Sequence, residues 1–237
     1  MEGIMTGIIG AMDSEVGILI SKLENKEEIK RGSTVFYRGV LCGKEIVIAK
    51  CGIGKVCAAV CAQTMIDLFN VDVIINTGVA GGLAHGIKVG DVVISDALIQ
   101  HDFDLALFGY AKGCLPCSDQ SDKGVPTKFL PDKDTVEKLK QAAENIGVHC
   151  IGGTIVSGDV FVSDSALKNE LISLFGADAA EMEGAAIAQA AFLSGVPFAV
   201  VRAISDSADE EATVNFTEFE LKAAEVSSNI IIEFLKL

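Results

Sequence analysis

The stretch Val71–Leu83, VDVIINTGVAGGL, decides the fold. It opens on a single acid, Asp72, runs through β-branched residues, and ends among small residues and glycines. A half-exposed strand alternates apolar and polar side chains, whereas a strand covered on both faces reads as a continuous apolar run. Val73–Ile75 is of the second kind. The NTGVAGG that follows is expected to be a glycine turn whose backbone can approach a ligand closely.

Five more runs share this character: MTGIIG (Met5–Gly10), EIVIAK (Glu45–Lys50), DVVISDAL (Asp91–Leu98), GGTIVSGD (Gly152–Asp159) and PFAVVRAIS (Pro197–Ser205). Helical patterns lie between them, among them Lys55–Asn70, Thr135–Ile146 and the alanine-rich segment that ends at Ser194-Gly195. The alternation predicts an α/β fold with substantial parallel pairing. A last helix is expected to open at TEFE, with Thr217 and Glu220 as a capping box. Its apolar face would be Phe219, Ala223, Val226, Ile230 and Phe234. Repeats are absent, and the polar stretch Cys117–Asp134 reads as a loop, so residues 1–237 are expected to form one domain.

Composition narrows the function. Half of the 237 residues are apolar, the formal net charge is −14, and the arginines are Arg31, Arg38 and Arg202. Nucleic acid and anionic membranes are disfavoured, because phosphate binding needs clustered cations. Seven cysteines without framework spacing point to a reducing compartment. The N-terminus carries Glu2 and breaks at glycines, unlike a signal peptide, and no apolar run approaches the ~18 residues of a membrane span. A soluble, cytoplasmic protein is expected.

Ligands of open α/β sheets collect at the carboxyl ends of strands. Those ends read GAMDSEV, CGIGK, NTGVAGGL, SGDVFV, AEMEG and RAISDSAD. Three carry acids on a turn or helix start (Glu15, Glu183, Asp206), and one offers an aromatic ring, Phe161. The one conspicuous cation is Arg202. Such a set is a poor phosphate pocket and a good one for a neutral polyhydroxyl ligand with a flat apolar ring.

Simpler roles exist for each of these residues. An acid at a helix start can merely face the helix dipole, Phe161 and Met182 can be core, and Arg202 can be a structural ion pair. CGIGK is not a dinucleotide fingerprint, since Cys57 stands where the third glycine belongs, nor has it the spacing of a phosphate loop. Cys114 and Cys117 form a lone C-x-x-C, too little for zinc and read as a surface coincidence. Cys57 and Cys61 read as core. His85, His101 and His149 lack ligand spacing, so neither metal nor cofactor is expected.

Taken in order, GIIGAMDSEV, GIGKVCAA, VIINTGVAGGL, VSGDVF, AEMEGAAIA and VVRAISDSAD resemble the 5′-methylthioadenosine/S-adenosylhomocysteine nucleosidases of the nucleoside phosphorylase/nucleosidase superfamily. The resemblance runs from about Gly7 to Phe219. It implies a three-layer α/β/α fold with a twisted mixed sheet, a homodimer, and a cofactor-free hydrolysis. Water would cleave the N-glycosidic bond of methylthioadenosine or S-adenosylhomocysteine, with 5′-deoxyadenosine a further substrate, as in methionine salvage and methyl-cycle recycling.

The resemblance also implies roles. Asp206 would be the general acid that protonates adenine N7, work that contributes roughly 10²–10⁴-fold, with a pKa raised by burial. Glu15 would deprotonate the attacking water. Glu183 would bind the 2′- and 3′-hydroxyls, oriented by Arg202, with Met182 beneath the sugar. Phe161 would stack on adenine while the Val162 backbone reads its edge. Met12, Ser205 and the backbone of Val79 would also touch substrate; family members often have serine where Val79 stands. Phe216 would line an apolar 5′ pocket completed by Leu105 and Phe108 of the partner subunit. Glu181 receives no catalytic role.

Three alternatives use the same scaffold. A purine nucleoside phosphorylase would put phosphate where Glu15 stands, and two unit charges 4 Å apart repel by about 4 kcal/mol at an effective dielectric of 20. A futalosine-type nucleosidase would use the same acids with a larger, charged 5′ group. A non-enzymatic nucleoside sensor would not need all three acids.

Overall fold

The computed structural model describes residues 4–117 and 122–237. Glu2, used above against a signal peptide, and Ser118–Ser121 of the polar loop lie outside the described residues. No described helix is long and apolar enough to cross a membrane.

Among the described residues nine strands form one mixed sheet: β1 (Thr6–Gly10), β2 (Glu24–Arg31), β3 (Thr34–Leu41), β4 (Lys44–Lys50), β5 (Val73–Gly82), β6 (Val92–Gln100), β7 (Cys150–Ser157), β8 (Ala179–Glu181) and β9 (Phe198–Asp206). Their order is β2-β3-β4-β1-β5-β8-β7-β6-β9, and β9 also pairs with β5. That extra pairing closes β5, β8, β7, β6 and β9 into a ring, from which β1, β4, β3 and β2 extend as an open sheet. β1 lies parallel to both β4 and β5, and β5 lies parallel to β9, so these strands share a carboxyl end.

Helices cover both faces. α2 (Lys55–Phe69) and α5 (Gly184–Ser194) pack on one side, where Ala58, Ala62, Met65, Ala185, Ile187 and Ala188 join one apolar cluster. The alanines let α5 lie close against its neighbours, and Gly195 ends it in a left-handed conformation. α1 (Asp13–Ser21), α3 (Lys133–Asn145) and α6 (Ala212–Phe234) cover the other side, burying Val16, Leu139, Ala223, Ile230 and Phe234. α4 (Ser165–Phe175) packs on the ring through Leu171 and Phe175.

Four expectations are corrected. β5 does not turn at NTGVAGG; the strand continues to Gly82, because Thr77–Ala80 stay paired with Val201–Ile204 of β9. The glycines there make room for neighbouring side chains and do not bend the chain. β2 and β3 escaped notice because β2, ENKEEIKR, is almost wholly exposed edge strand with no apolar run; charge on an exposed edge discourages intermolecular pairing. α6 begins at Ala212, so Thr217 lies inside it and its hydroxyl donates to Thr213 O at 2.9 Å. Finally, Cys57 is exposed while Cys114 is fully buried, the reverse of the sequence reading; among the described residues no cluster of three metal-ligating side chains exists.

Candidate active site

At the shared carboxyl end of β1, β5 and β9, beside the short β8 that runs antiparallel to β5, lies a cavity of about 460 Å³. Its lining includes Met12, Glu15, Val79, Phe161, Glu181, Met182, Glu183, Ser205, Asp206 and Phe216. Val162 lines a small recess that opens beside Phe161 and Asp206. Glu15, Glu183 and Asp206, 168 and 23 residues apart in sequence, are all buried here.

Glu15 owes its position to α1. It is the third residue of that helix, and its Oε2 reaches back to accept from Ala11 N (2.6 Å) and Met12 N (3.0 Å). Its other oxygen accepts from Val79 N at 3.0 Å. Burial nevertheless pushes this carboxyl above its usual range, against the pull of Arg202 and the three N–H groups. Behind it, α6 turns two buried serines toward the site. Ser227 Oγ accepts from Gly78 N at 3.2 Å, and Ser228 Oγ donates to Glu15 O at 3.3 Å.

Glu183 stands at the N-cap of α5, and its Oε1 accepts from Gly54 N at 2.9 Å. Burial first, and the nearby charge of Glu181 second, raise it to about 7. Arg202, fully buried on β9, is the cation among these acids. Its main partner is one that the sequence reading did not give it. Arg202 Nη2 bonds Glu181 directly and Asn76 Oδ1 at 2.6 Å, while Glu183 lies 3.6 Å and Glu15 4.0 Å from the guanidinium.

Glu181 was thus undervalued. It also accepts from the Ser157 hydroxyl and from the backbone N–H of Glu183 (2.9 Å) and Gly184 (2.7 Å), clamping the start of α5. Sequence position alone did not distinguish it from Glu183. The usable signal was Arg202 itself: a lone arginine in an apolar strand needs a buried countercharge.

Asp206 ends β9. Opposite Ala80–Gly81 the β5–β9 register slips by one residue, leaving Ser205 without a partner and re-aiming Asp206. The Ser205 hydroxyl donates to Asp206 Oδ2 at 2.9 Å and Ala208 N to Oδ1 at 2.8 Å. Burial is the largest influence and raises the carboxyl's pKa despite both donors. Gly81 is required here, since a Cβ would lie 2.8 Å from Asp206 Oδ1 and 2.9 Å from Ala208 Cβ.

Phe161 is partly exposed and meets Phe216 edge-to-face at 5.7 Å, the two rings flanking the cavity. Leu105 and Phe108 lie elsewhere. Leu105 precedes and Phe108 ends a short turn at Ala106–Phe108, outside the cavity lining of their own chain, with Phe108 73% exposed. His101 is buried under Gly158 and does not line the cavity.

Known proteins resemble this chain over nearly its whole length. A family model described as the phosphorylase superfamily matches residues 6–236. A 5′-methylthioadenosine/S-adenosylhomocysteine nucleosidase from Exiguobacterium is 44% identical, covering 94% of this chain and 93% of its own. The protein of that name from Haemophilus influenzae is 41% identical over 97% of each chain. Among solved structures, the Neisseria meningitidis nucleosidase bound to methylthio-immucillin-A has a TM-score of 0.92 and 42% identity, over 98% of each chain. A futalosine hydrolase from Helicobacter pylori has a TM-score of 0.90 and 36% identity, covering 98% of this chain and 97% of its own. Likeness of this extent, spanning every strand that builds the cavity, makes the chain a member of the 5′-methylthioadenosine/S-adenosylhomocysteine nucleosidase family within the phosphorylase superfamily.

Proposed function

We propose that this chain, acting as one catalytic domain, hydrolyses the N-glycosidic bond of 5′-methylthioadenosine and S-adenosylhomocysteine, releasing adenine and the 5-thio-substituted ribose. The observation that carries the proposal is the gathering of Glu15, Glu183 and Asp206 around one cavity with a flat aromatic wall. Arg202 is the only buried arginine or lysine among the described residues, and Glu181 already occupies it.

Each group has a task. Asp206, whose pKa burial raises, donates to adenine N7 as the bond breaks, so the base does not leave as an anion. Phe161 stacks on the purine, while Ser205 and the backbone of Val162 border its edge. As the ribose gains oxocarbenium character, Glu183 accepts from its hydroxyls and Met182 packs below.

Glu15 Oε1 and Arg202 Nη1 both face the bare side of Gly78, 4.0 Å apart. A water bonding both at about 2.8 Å would span that separation and satisfy the unbonded Arg202 Nη1, and Glu15 would take its proton. The backbone N–H of Val79 holds Glu15 from behind, so the valine side chain need not bond the water. Phosphate in that place would meet Glu15's charge instead.

The 5′ substituent would lie among Met12, Ile53 and Phe216. We take the homodimer to complete this apolar end with Leu105 and Phe108 of the partner. Val56, Val60 and Leu193 line one groove and are strongly exposed, as are Leu107 and Phe108 on their own turn, and large apolar side chains left on a surface mark contact sites. The seven cysteines, none in a disulfide, support a cytoplasmic setting.

Adenine release from methylthioadenosine in phosphate-free buffer tests the assignment. Full turnover without phosphate is expected, and Asp206→Asn should abolish it while binding stays within about tenfold. A requirement for phosphate would favour a phosphorylase, and binding without release a sensor. Faster turnover of a futalosine-type nucleoside would move the substrate assignment.

A further inference from the structure

Beyond Asp206 the chain leaves β9 for a turn in which Ala208 holds φ +50°, a left-handed conformation uncommon outside glycine. In the same turn Ala208 N–H donates to Asp206 Oδ1. The outer side of the turn is gripped by α4. Lys168 Nζ donates to Ser207 O at 2.6 Å, and Ser165 donates to Glu210 through its backbone N (3.1 Å) and its hydroxyl (2.7 Å). α4 begins three residues after Val162, so one helix ties the wall carrying Phe161 and Val162 to the turn carrying Asp206.

We infer that Lys168 is a positioning residue for the hydrolysis: it fixes the Ser207 carbonyl, keeps the Asp206 carboxyl aimed at the base, and sets one positive charge beside it. The inference rests on Asp206 being the general acid. Lys168 is half-buried and belongs to a rigid turn, since its backbone N donates to Asp164 O at 3.1 Å and Asp164 caps the helix.

The charged groups around Asp206 are few. Asp209 on its own loop raises the carboxyl's pKa, and Lys168 from α4 lowers it; both act less than burial and the two hydrogen-bond donors. β5 carries no titratable side chain, and Glu181 shares the cavity from β8. Taking away Lys168 therefore loosens the turn and removes the nearby cation. Asp206 would keep its proton to higher pH and surrender it less readily to N7.

The experiment compares the wild type with Lys168→Met, Lys168→Arg and Asp206→Asn, following kcat, KM and the pH profile of kcat/KM on methylthioadenosine, with thermal melting as a control. Lys168→Met should lower kcat about tenfold with KM nearly unchanged, and move the basic limb to higher pH. Lys168→Arg should restore both. An unmoved limb, whether or not activity falls, overturns the inference. Failure of the underlying assignment looks different, because Asp206→Asn would then retain turnover.

Discussion

Replacing Gly78 with alanine adds one methyl group where Glu15 and Arg202 converge. The backbone tolerates the change, because Gly78 sits in β5 without a left-handed φ. The space does not. The new Cβ would overlap Arg202 Nη1 and Glu15 Oε1, and would lie 2.8 Å from Glu15 Cδ. Carbon atoms rest at about 3.5–4.0 Å, so the carboxyl must retreat by roughly 1 Å.

Three backbone N–H bonds hold Glu15 in place, so the retreat is resisted and the strain spreads into α1. Displacing a reacting group by about 1 Å costs roughly 10²-fold in rate. Overpacking a buried site costs about 1–3 kcal/mol, which in a chain of this size lowers the melting temperature by roughly 2–12 °C. Initial rates of adenine release should show kcat reduced at least about 100-fold with KM little changed, because Glu183, Phe161 and Asp206 are untouched. A variant that melts lower yet keeps kcat within about threefold would refute the assignment of Glu15 and the Gly78 face to the water.

Three further outcomes are expected. Glu183, raised to about 7 in the folded protein, holds a proton that the unfolded chain gives up near its ordinary value; its share of stability is complete below pH ~4.5 and is lost as pH rises through about 7. Melting temperatures should therefore fall between pH 5 and 8 in the ligand-free protein, with a shallower fall in Glu183→Gln; equal slopes would contradict this. Glu181→Ala leaves Arg202 without its principal countercharge and should destabilise by about 3–5 kcal/mol in denaturant titration, whereas a change below ~1 kcal/mol would deny the pair its structural weight. Phe108→Ala should raise KM for methylthioadenosine several-fold with kcat nearly intact; an unchanged KM would remove the partner's ring from the 5′ pocket.

The apolar strands and the alanine-rich helix were legible because their periodicity comes directly from which faces are covered, as Val73–Ile75 and Gly184–Ser194 show. The three acids were nominated from their places at strand ends. β2 was not legible, because an exposed edge strand of charged residues carries no burial signal. Likewise the true start of α6 was hidden by a second plausible cap at Thr217.

The local pattern of side chains thus determined the α/β class, the strands of the inner sheet and which residue types stood ready for chemistry. Which of two glutamates two residues apart would take the arginine was decided only by the tertiary structure. So were the passage of β5 straight through its glycines and the one-residue slip that re-aims Asp206. Patterning along a chain reports whether a side chain meets water or the core. Pairing of buried charges, and the clearance left by a missing Cβ, depend on what a distant strand brings within a few ångströms.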